Sequence, residues 1–195
     1  MVDRQSRLWD IGTHMDEATK VLQSLQARFP GTKLVKKNDS TLMKVINIFL
    51  MVITFGMMRT FMTNFVTTIG RTLYVPKDWD HRSVYARATT LRHEGIHLAQ
   101  EERLGSIRYK LTYLFWVTPC LFAVGRRNLE QEAYAESMRA RAEYFGLKTL
   151  RFKGYKEHIL SHFTTAQYFW IWPWKKQLNK WFDETLQQIE KDHKG

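Results

Sequence analysis

Residues 83–105 read SVYARATTLRHEGIHLAQEERLG, and this segment organises the interpretation of the rest of the chain. Ser83 is a typical N-cap residue, because its hydroxyl can accept a hydrogen bond from a free backbone N–H of the first turn. Gly105 is typical of the position that follows the last helical residue. The segment therefore predicts a long central helix that ends at Leu104.

The middle of this helix contains an HExxH motif, formed by His93, Glu94 and His97. Residues four apart lie one above the other on a helix, so both imidazoles can face one ion. Zinc lowers the pKa of a bound water to about 7, and Glu94 lies where a carboxylate could take a proton from that water during attack on a carbonyl. The motif predicts one zinc ion held by His93 and His97. An ordinary helix with two unrelated histidines is the structural alternative.

A catalytic zinc ion usually has a third protein ligand, which leaves the fourth position to water. The spacing HExxHxxGxxH would supply another histidine, but Gln100 and Arg103 lie in that region. The candidates are therefore acidic residues on the next predicted helix. Glu130 shares its helix face with small and apolar residues suited to close packing, whereas Glu132 shares its face with charged residues. Glu130 is the favoured ligand, and Glu132 and Glu136 are the alternatives.

Hydrophobic periodicity and turn residues predict an α+β fold that is mostly helical with a small sheet. Asn128 is the predicted cap of the helix that carries the acidic candidates. The predicted helices cover residues 14–29, 42–58, 83–104, 129–145, 155–168 and 174–190, and the predicted strands cover Lys33–Lys37 and Phe65–Val75. The length favours a single domain over residues 1–195, with a catalytic core at about 60–170 and a loose tail at 1–13.

The composition excludes some classes of protein. The single cysteine excludes an intramolecular disulfide framework, and 44% hydrophobic residues are too many for a disordered chain. The N-terminus carries no apolar signal-peptide core, which favours a cytoplasmic or virion-associated protein. The apolar run at 42–58 predicts a buried helix. That run and a second apolar patch at 113–124 keep a membrane-peripheral location as an alternative.

A tetrahedral intermediate needs a hydrogen-bond donor for its developing oxyanion. Tyr134 and Tyr168 are the candidate catalytic residues for this role, with Tyr144, His158 and His162 as further candidates. Each of the five is also explained by ordinary packing. His158 and His162 are four residues apart, which fits one side of an amphipathic helix or a second metal site.

With these residues in place, the sequence resembles the gluzincin group of zinc metallopeptidases, in which a glutamate on a downstream helix completes HExxH. Residues 130–134, EQEAY, resemble the E-x-x-A-D/S ligand helix of that group, although Tyr134 stands where an aspartate is common. The string TTIGRTLYVP at residues 67–76 is also similar to small uncharacterised proteins of tailed phages and bacteria that are regarded as metallopeptidases. The resemblance covers residues 60–145 approximately.

The resemblance implies a minimal zincin-like domain, in which the edge strand Phe65–Val75 flanks the HExxH helix. It also implies a polypeptide substrate bound in an extended conformation along that strand. The expected function is a zinc-dependent endopeptidase with Glu94 as the general base. The alternatives are a non-catalytic zinc-binding protein that associates with a virion or a membrane surface, and a basic nucleic-acid-binding protein. Nucleic acid is the least favoured partner, because the basic residues are spread along the chain.

Overall fold

The computed structural model describes residues 15–114, 124–165 and 174–194, and these residues are mostly helical with a small sheet. The predicted α+β class is therefore confirmed. The helices are α1 (Glu17–Arg28), α2 (Thr41–Ile53), α3 (Val84–Leu104), α4 (Ser106–Leu114), α5 (Val124–Phe145), α6 (Lys153–Thr164) and α7 (Lys175–Asp192). The strands are β1 (Lys33–Lys36), β2 (Thr67–Ile69) and β3 (Thr72–Val75). The predicted tail, Tyr168 and most of the second apolar patch lie outside the described residues.

Helix α3, which carries the HExxH motif, has the predicted ends. The Ser83 hydroxyl accepts a hydrogen bond from the backbone N–H of Ala86 at 3.2 Å, and Gly105 ends the helix with φ of +78°. Helix α1 packs closely against the back of α3, where a Cβ atom on Gly95 would come within 2.6 Å of the Leu25 side chain. The glycine inside the motif therefore permits the close approach of these two helices.

The prediction of one strand over Phe65–Val75 is wrong, because the segment forms the hairpin β2–β3. Gly70 takes a positive φ of +57° in the two-residue connection, a conformation that glycine adopts at low cost and that turns the chain back. Strand β3 pairs antiparallel with β2 and parallel with β1, so the strand order is β1-β3-β2. Strand β3 is therefore central, and of the segment Phe65–Val75 only β2 lies at an edge of the sheet.

Helix α5 packs antiparallel to α3. It begins at Val124, so the prediction that Asn128 caps it is wrong. The Asn128 side-chain oxygen instead accepts a hydrogen bond from the Arg127 guanidinium at 2.8 Å. Helix α6 ends at Thr164, before the predicted end at residue 168, because the next residue is extended.

The described residues contain three apolar clusters. One joins α5, α6 and α7, another joins α1, β3 and α3, and a smaller one packs the inner side of α2 on the residues that follow it. The prediction that residues 42–58 form a buried helix is wrong in both extent and environment. Helix α2 ends at Ile53, and one side of it is exposed because no other described element covers it. Among the described residues, no helix combines the length and the apolar character needed to cross a bilayer.

Candidate metal centre

The side chains of His93, His97 and Glu130 meet between α3 and α5. The Glu130 Oε2 atom lies 3.6 Å from Nε2 of His93 and 3.8 Å from Nε2 of His97. The candidate ligand atoms of the three residues all lie within 4.8 Å of one another. Glu130 and His97 are only 7% and 5% exposed. The three groups, of which His93 is half-buried and the other two are buried, therefore form a small set of nitrogen and oxygen atoms that face a common point.

A chain of hydrogen bonds fixes the orientation of His97. The Gln100 side-chain nitrogen donates to the Leu129 carbonyl and to the Glu132 carboxylate, both at 2.9 Å. This leaves the Gln100 side-chain oxygen as an acceptor, and it lies 2.9 Å from Nδ1 of His97. Nδ1 must therefore carry the proton in the neutral imidazole, so Nε2 presents a lone pair towards Glu130.

Ser137 orients His93 in the same way. Its hydroxyl donates to the Ala133 carbonyl at 3.3 Å, and its oxygen lies 3.1 Å from Nδ1 of His93. The hydroxyl therefore accepts the Nδ1 proton, and Nε2 of His93 also presents a lone pair towards Glu130. Such partners on the non-ligating nitrogen are typical of metal-binding histidines.

The electrostatics of the three groups favour a cation. Burial would raise the pKa of the Glu130 carboxyl, but the neighbouring imidazoles outweigh burial and hold this pKa well below its usual range. Burial would lower the pKa of His93, but the nearby carboxylates of Glu130 and Glu94 outweigh it and raise the pKa. These shifts describe an imidazole that carries a second proton, on Nε2, facing the Glu130 carboxylate, so the centre stabilises a positive charge at the point where the lone pairs of the neutral imidazoles would otherwise meet that carboxylate.

Glu94 lies on the wall of a cleft of about 940 Å³ that the three candidate ligands also line. It is buried, and its Oε2 accepts a hydrogen bond from the Thr68 hydroxyl at 2.6 Å. Thr68 belongs to the edge strand β2, whose residues 67–69 line the same cleft. This hydrogen bond orients the carboxylate between the edge strand and α3.

The two alternative acidic candidates lie in other contacts. Glu132 receives hydrogen bonds from Arg103 and Gln100, and Glu136 receives a hydrogen bond from Arg92 at 2.7 Å. Neither carboxylate belongs to the His93 group among the described residues. Both glutamates connect α5 to α3 beside the candidate centre.

The candidates for the oxyanion donor occupy different places. The Tyr134 ring packs edge-on to His93, with a centroid distance of 4.7 Å, and it lines the cleft. His162 and His158 also line the cleft, whereas the Tyr144 hydroxyl lies 3.4 Å from a Glu17 oxygen on α1. Tyr144 is therefore placed away from the cleft.

His162 cannot donate a proton into the cleft at neutral pH. Burial lowers the pKa of His162 to about 4, so the imidazole is neutral. Its Nδ1 lies 2.8 Å from the His158 carbonyl, which accepts the only proton of the neutral ring. The remaining nitrogen carries a lone pair.

Four residues of the site are not among those predicted from the sequence. Gln100 and Ser137 share helix faces with His97 and Glu130, so helical phase could have identified them. Tyr109 on α4 lines the cleft, and burial raises the pKa of its phenol strongly, with added effects of the Glu130 and Glu94 charges. No local sequence pattern indicated Tyr109. The position of Thr68 beside Glu94 depends on how the hairpin packs against α3, which the sequence does not show.

Comparison with known proteins adds no assignment, since no protein-family model, no curated protein and no solved structure matches the chain. A function must therefore be inferred from the side chains themselves. The most informative of these are two histidines with fixed tautomers, one buried carboxylate opposite them, and a second carboxylate on the cleft wall.

Proposed function

We propose that this protein is a zinc-dependent hydrolase, most specifically an endopeptidase, with His93, His97 and Glu130 as the zinc ligands. The observation that carries the proposal is the convergence of these three side chains, with both Nε2 lone pairs directed towards the carboxylate. Buried imidazole and carboxylate groups are costly to desolvate, and a shared cation would offset that cost.

The donor set fits zinc. Ligand atoms at about 2.0–2.1 Å from a tetrahedral zinc ion lie about 3.3–3.4 Å apart, and the observed separations of 3.6 and 3.8 Å are close to this spacing. Two imidazoles and one carboxylate leave the fourth position for a water or a substrate carbonyl. A bound zinc ion would supply Lewis acidity and would lower the pKa of a bound water to about 7.

Glu94 is the proposed general base. Its carboxylate can take a proton from the attacking water and later pass that proton to the leaving amine. The hydrogen bond from Thr68 restricts one carboxylate oxygen, so the other oxygen remains for proton transfer. The edge strand thus positions the base as well as bordering the cleft.

Tyrosine hydroxyls are the proposed donors to the oxyanion. Tyr134 lies against His93, and Tyr109 keeps its proton because burial and nearby carboxylates raise its pKa. A neutral phenol donates a hydrogen bond over the whole physiological pH range. Tyr168 stays a further candidate from the sequence.

The proposed substrate is a polypeptide in an extended conformation. Strand β2 is one of the two edge strands and lines the cleft, so a substrate could extend the sheet by main-chain hydrogen bonds. This arrangement also supports a zincin-like fold: a helix with HExxH, an edge strand beside it, and a ligand helix packed across it.

The decisive experiment compares Glu94→Gln with Glu102→Gln. Glu102 lies on the same helix but forms an exposed ion pair with Arg71. Glu94→Gln should retain about one zinc per chain by elemental analysis, while hydrolysis of unfolded casein should fall at least about a hundredfold. Glu102→Gln should retain both properties. A zinc-loaded wild-type chain without hydrolysis would support the non-catalytic alternative, and a chain without zinc would refute the proposal.

A further inference from the structure

One side of α2 presents apolar residues to the exterior. These residues are Leu42, Val45, Ile48, Phe49 and Val52, which are between 47% and 69% exposed, and they are called here the outer face of α2. Phe55, directly after the helix, is 92% exposed. Together these side chains expose on the order of several hundred Å² of apolar surface, a size that marks an interaction surface.

Helix α2 is apolar on both of its sides. Its exposed side carries the residues of the outer face together with Thr41 and Lys44, whereas the polar residues Asn47 and Thr54 lie towards the protein. The Asn47 side-chain oxygen is buried and has no hydrogen-bond partner among the described residues. A helix that exposes several large apolar side chains on its outward side is suited to an apolar environment outside the protein.

Phe55 is held in a conformation that normally requires glycine. α2 ends in a Schellman motif, in which the Gly56 N–H donates to the Met51 carbonyl at 2.8 Å and the Phe55 N–H donates to the Val52 carbonyl at 3.2 Å. Phe55 occupies the left-handed position of this motif with φ of +48°. The strained backbone directs an exposed aromatic ring away from the protein, which is a feature of functional sites.

The charged side chains on α2 and on the turn that follows it are positive, and the exposed Asp39 lies just before the N-cap of the helix. The sequence from Ser40 to Lys77 contains no aspartate or glutamate. Lys44 is exposed at the border of the outer face, and the Arg59 guanidinium lies beside the Phe55 turn, where its Nε donates to the Gly56 carbonyl at 3.1 Å. An apolar face with Lys44 and Arg59 at its border, and with Asp39 at its N-terminal end, has a net positive surround that is complementary to an anionic lipid surface.

We propose that the outer face of α2 and Phe55 dock in the plane of an anionic lipid bilayer. Thirteen helical residues span about 20 Å, which is too short to cross a hydrocarbon core of about 30 Å, so the helix lies along the interface. A second copy of the chain related by a twofold axis would bring cations against cations. The observations therefore favour lipid over self-association.

Docking would also determine how far the cleft lies from the membrane surface. Ile46 and Leu50, on the opposite side of α2, line the cleft that contains the candidate metal centre. One helix diameter, about 10 Å, therefore separates the lipid surface from the cleft wall. If the proposed hydrolase function holds, its substrates are polypeptide segments close to a membrane surface. Lipid binding itself does not depend on that function.

The test is co-sedimentation of the full-length protein with vesicles. Vesicles of phosphatidylcholine with about one third phosphatidylglycerol should bind the protein, high salt should weaken this binding, and pure phosphatidylcholine should bind less. Binding that is equal on neutral and anionic vesicles would refute the charge argument. No binding to either vesicle would refute the docking proposal, whatever the hydrolase assay gives.

Two variants test whether vesicle binding depends on Phe55 in particular. They distinguish this effect from the loss of any exposed apolar side chain and from unfolding of the protein. Phe55→Gly should weaken vesicle binding on the order of tenfold, because one buried aromatic ring is lost. The same change relieves the strain of the left-handed backbone conformation at position 55, so the Tm should stay the same or rise by about 2–4 °C. The matched control is Ile107→Ser, which removes a residue that is 78% exposed on α4, and it should bind vesicles like the wild type.

Other outcomes would overturn the proposal. Equal loss of binding in Phe55→Gly and Ile107→Ser would show that α2 has no special role. A dimer in light scattering that Phe49→Ser abolishes, without lipid binding by the wild type, would assign the outer face of α2 to a second copy of the chain.

Discussion

If zinc binds at His93, His97 and Glu130 as proposed, the substitution Glu130→Gln should remove most of the stabilisation that the ion would give to the fold. It keeps the size of a buried side chain but replaces the carboxylate that lies 3.6 and 3.8 Å from the two imidazoles. At a free zinc concentration of about 100 times its Kd, binding stabilises the folded state by about 2.7 kcal/mol. For a chain of 195 residues this corresponds to an increase in Tm of about 5–10 °C.

The loss of the charged ligand should weaken zinc binding by at least about a hundredfold, since loss of an outer hydrogen-bond partner alone costs about 10–100-fold. At the same zinc concentration the stabilisation then falls to about 0.4 kcal/mol, and the Tm should increase by only about 1 °C.

Differential scanning fluorimetry of each variant, with and without zinc, measures this shift independently of the stability of the metal-free protein. Glu136→Gln is the matched control, because this carboxylate lies on the same helix but pairs with Arg92. Its zinc-induced shift should equal that of the wild type. If Glu132→Gln loses the shift and Glu130→Gln keeps it, the ligand assignment is wrong.

Three further predictions concern residues around the site. Gln100→Leu should lower zinc affinity about 10–100-fold in competition with a chromophoric chelator, because His97 loses its orienting acceptor. Thr68→Val should keep full zinc occupancy but lower kcat for casein hydrolysis, because Glu94 loses its hydrogen bond; an unchanged kcat would refute the positioning role. Burial lowers the pKa of Lys37 to about 7, well below the ordinary value of the unfolded chain, with a smaller opposing effect of the Glu94 charge. The unfolded state therefore binds more protons between pH 7 and about 10.5. Over that range the free energy of unfolding should rise by on the order of 3–5 kcal/mol relative to Lys37→Met, and parallel urea-denaturation profiles of the two proteins would contradict this.

Short-range signals in the sequence predicted most helices. Ser83 and Gly105 define α3 because capping depends on residues within one turn. The i,i+4 spacing of His93 and His97 and the helical phase of Glu130 likewise depend only on local geometry. These features could be recognised without knowledge of the tertiary structure.

Tertiary packing determined what the sequence could not predict. The β-branched run at 65–75 is compatible with one strand or with a hairpin, and the conformation of Gly70 selects the hairpin. An apolar helix such as α2 is compatible with burial or with an exposed apolar face, since composition does not specify what covers each side. The contact between Thr68 and Glu94 joins residues 26 positions apart, so no local pattern could indicate it.

Residues that are not ligands determine which glutamate meets the histidines. A one-residue shift of α5 along α3 would rotate each of its side chains by about 100°, which would remove Glu130 from the imidazoles. Two contacts oppose such a shift: Gln100 with the Leu129 carbonyl at one end, and Arg92 with Glu136 at the other. Burial would lower the pKa of the Arg92 guanidinium, but its hydrogen bonds to carboxylates outweigh burial and raise it, so this ion pair persists across the physiological pH range. Gln100 and the pair of Arg92 with Glu136 therefore act on the candidate centre by fixing the register of the two helices.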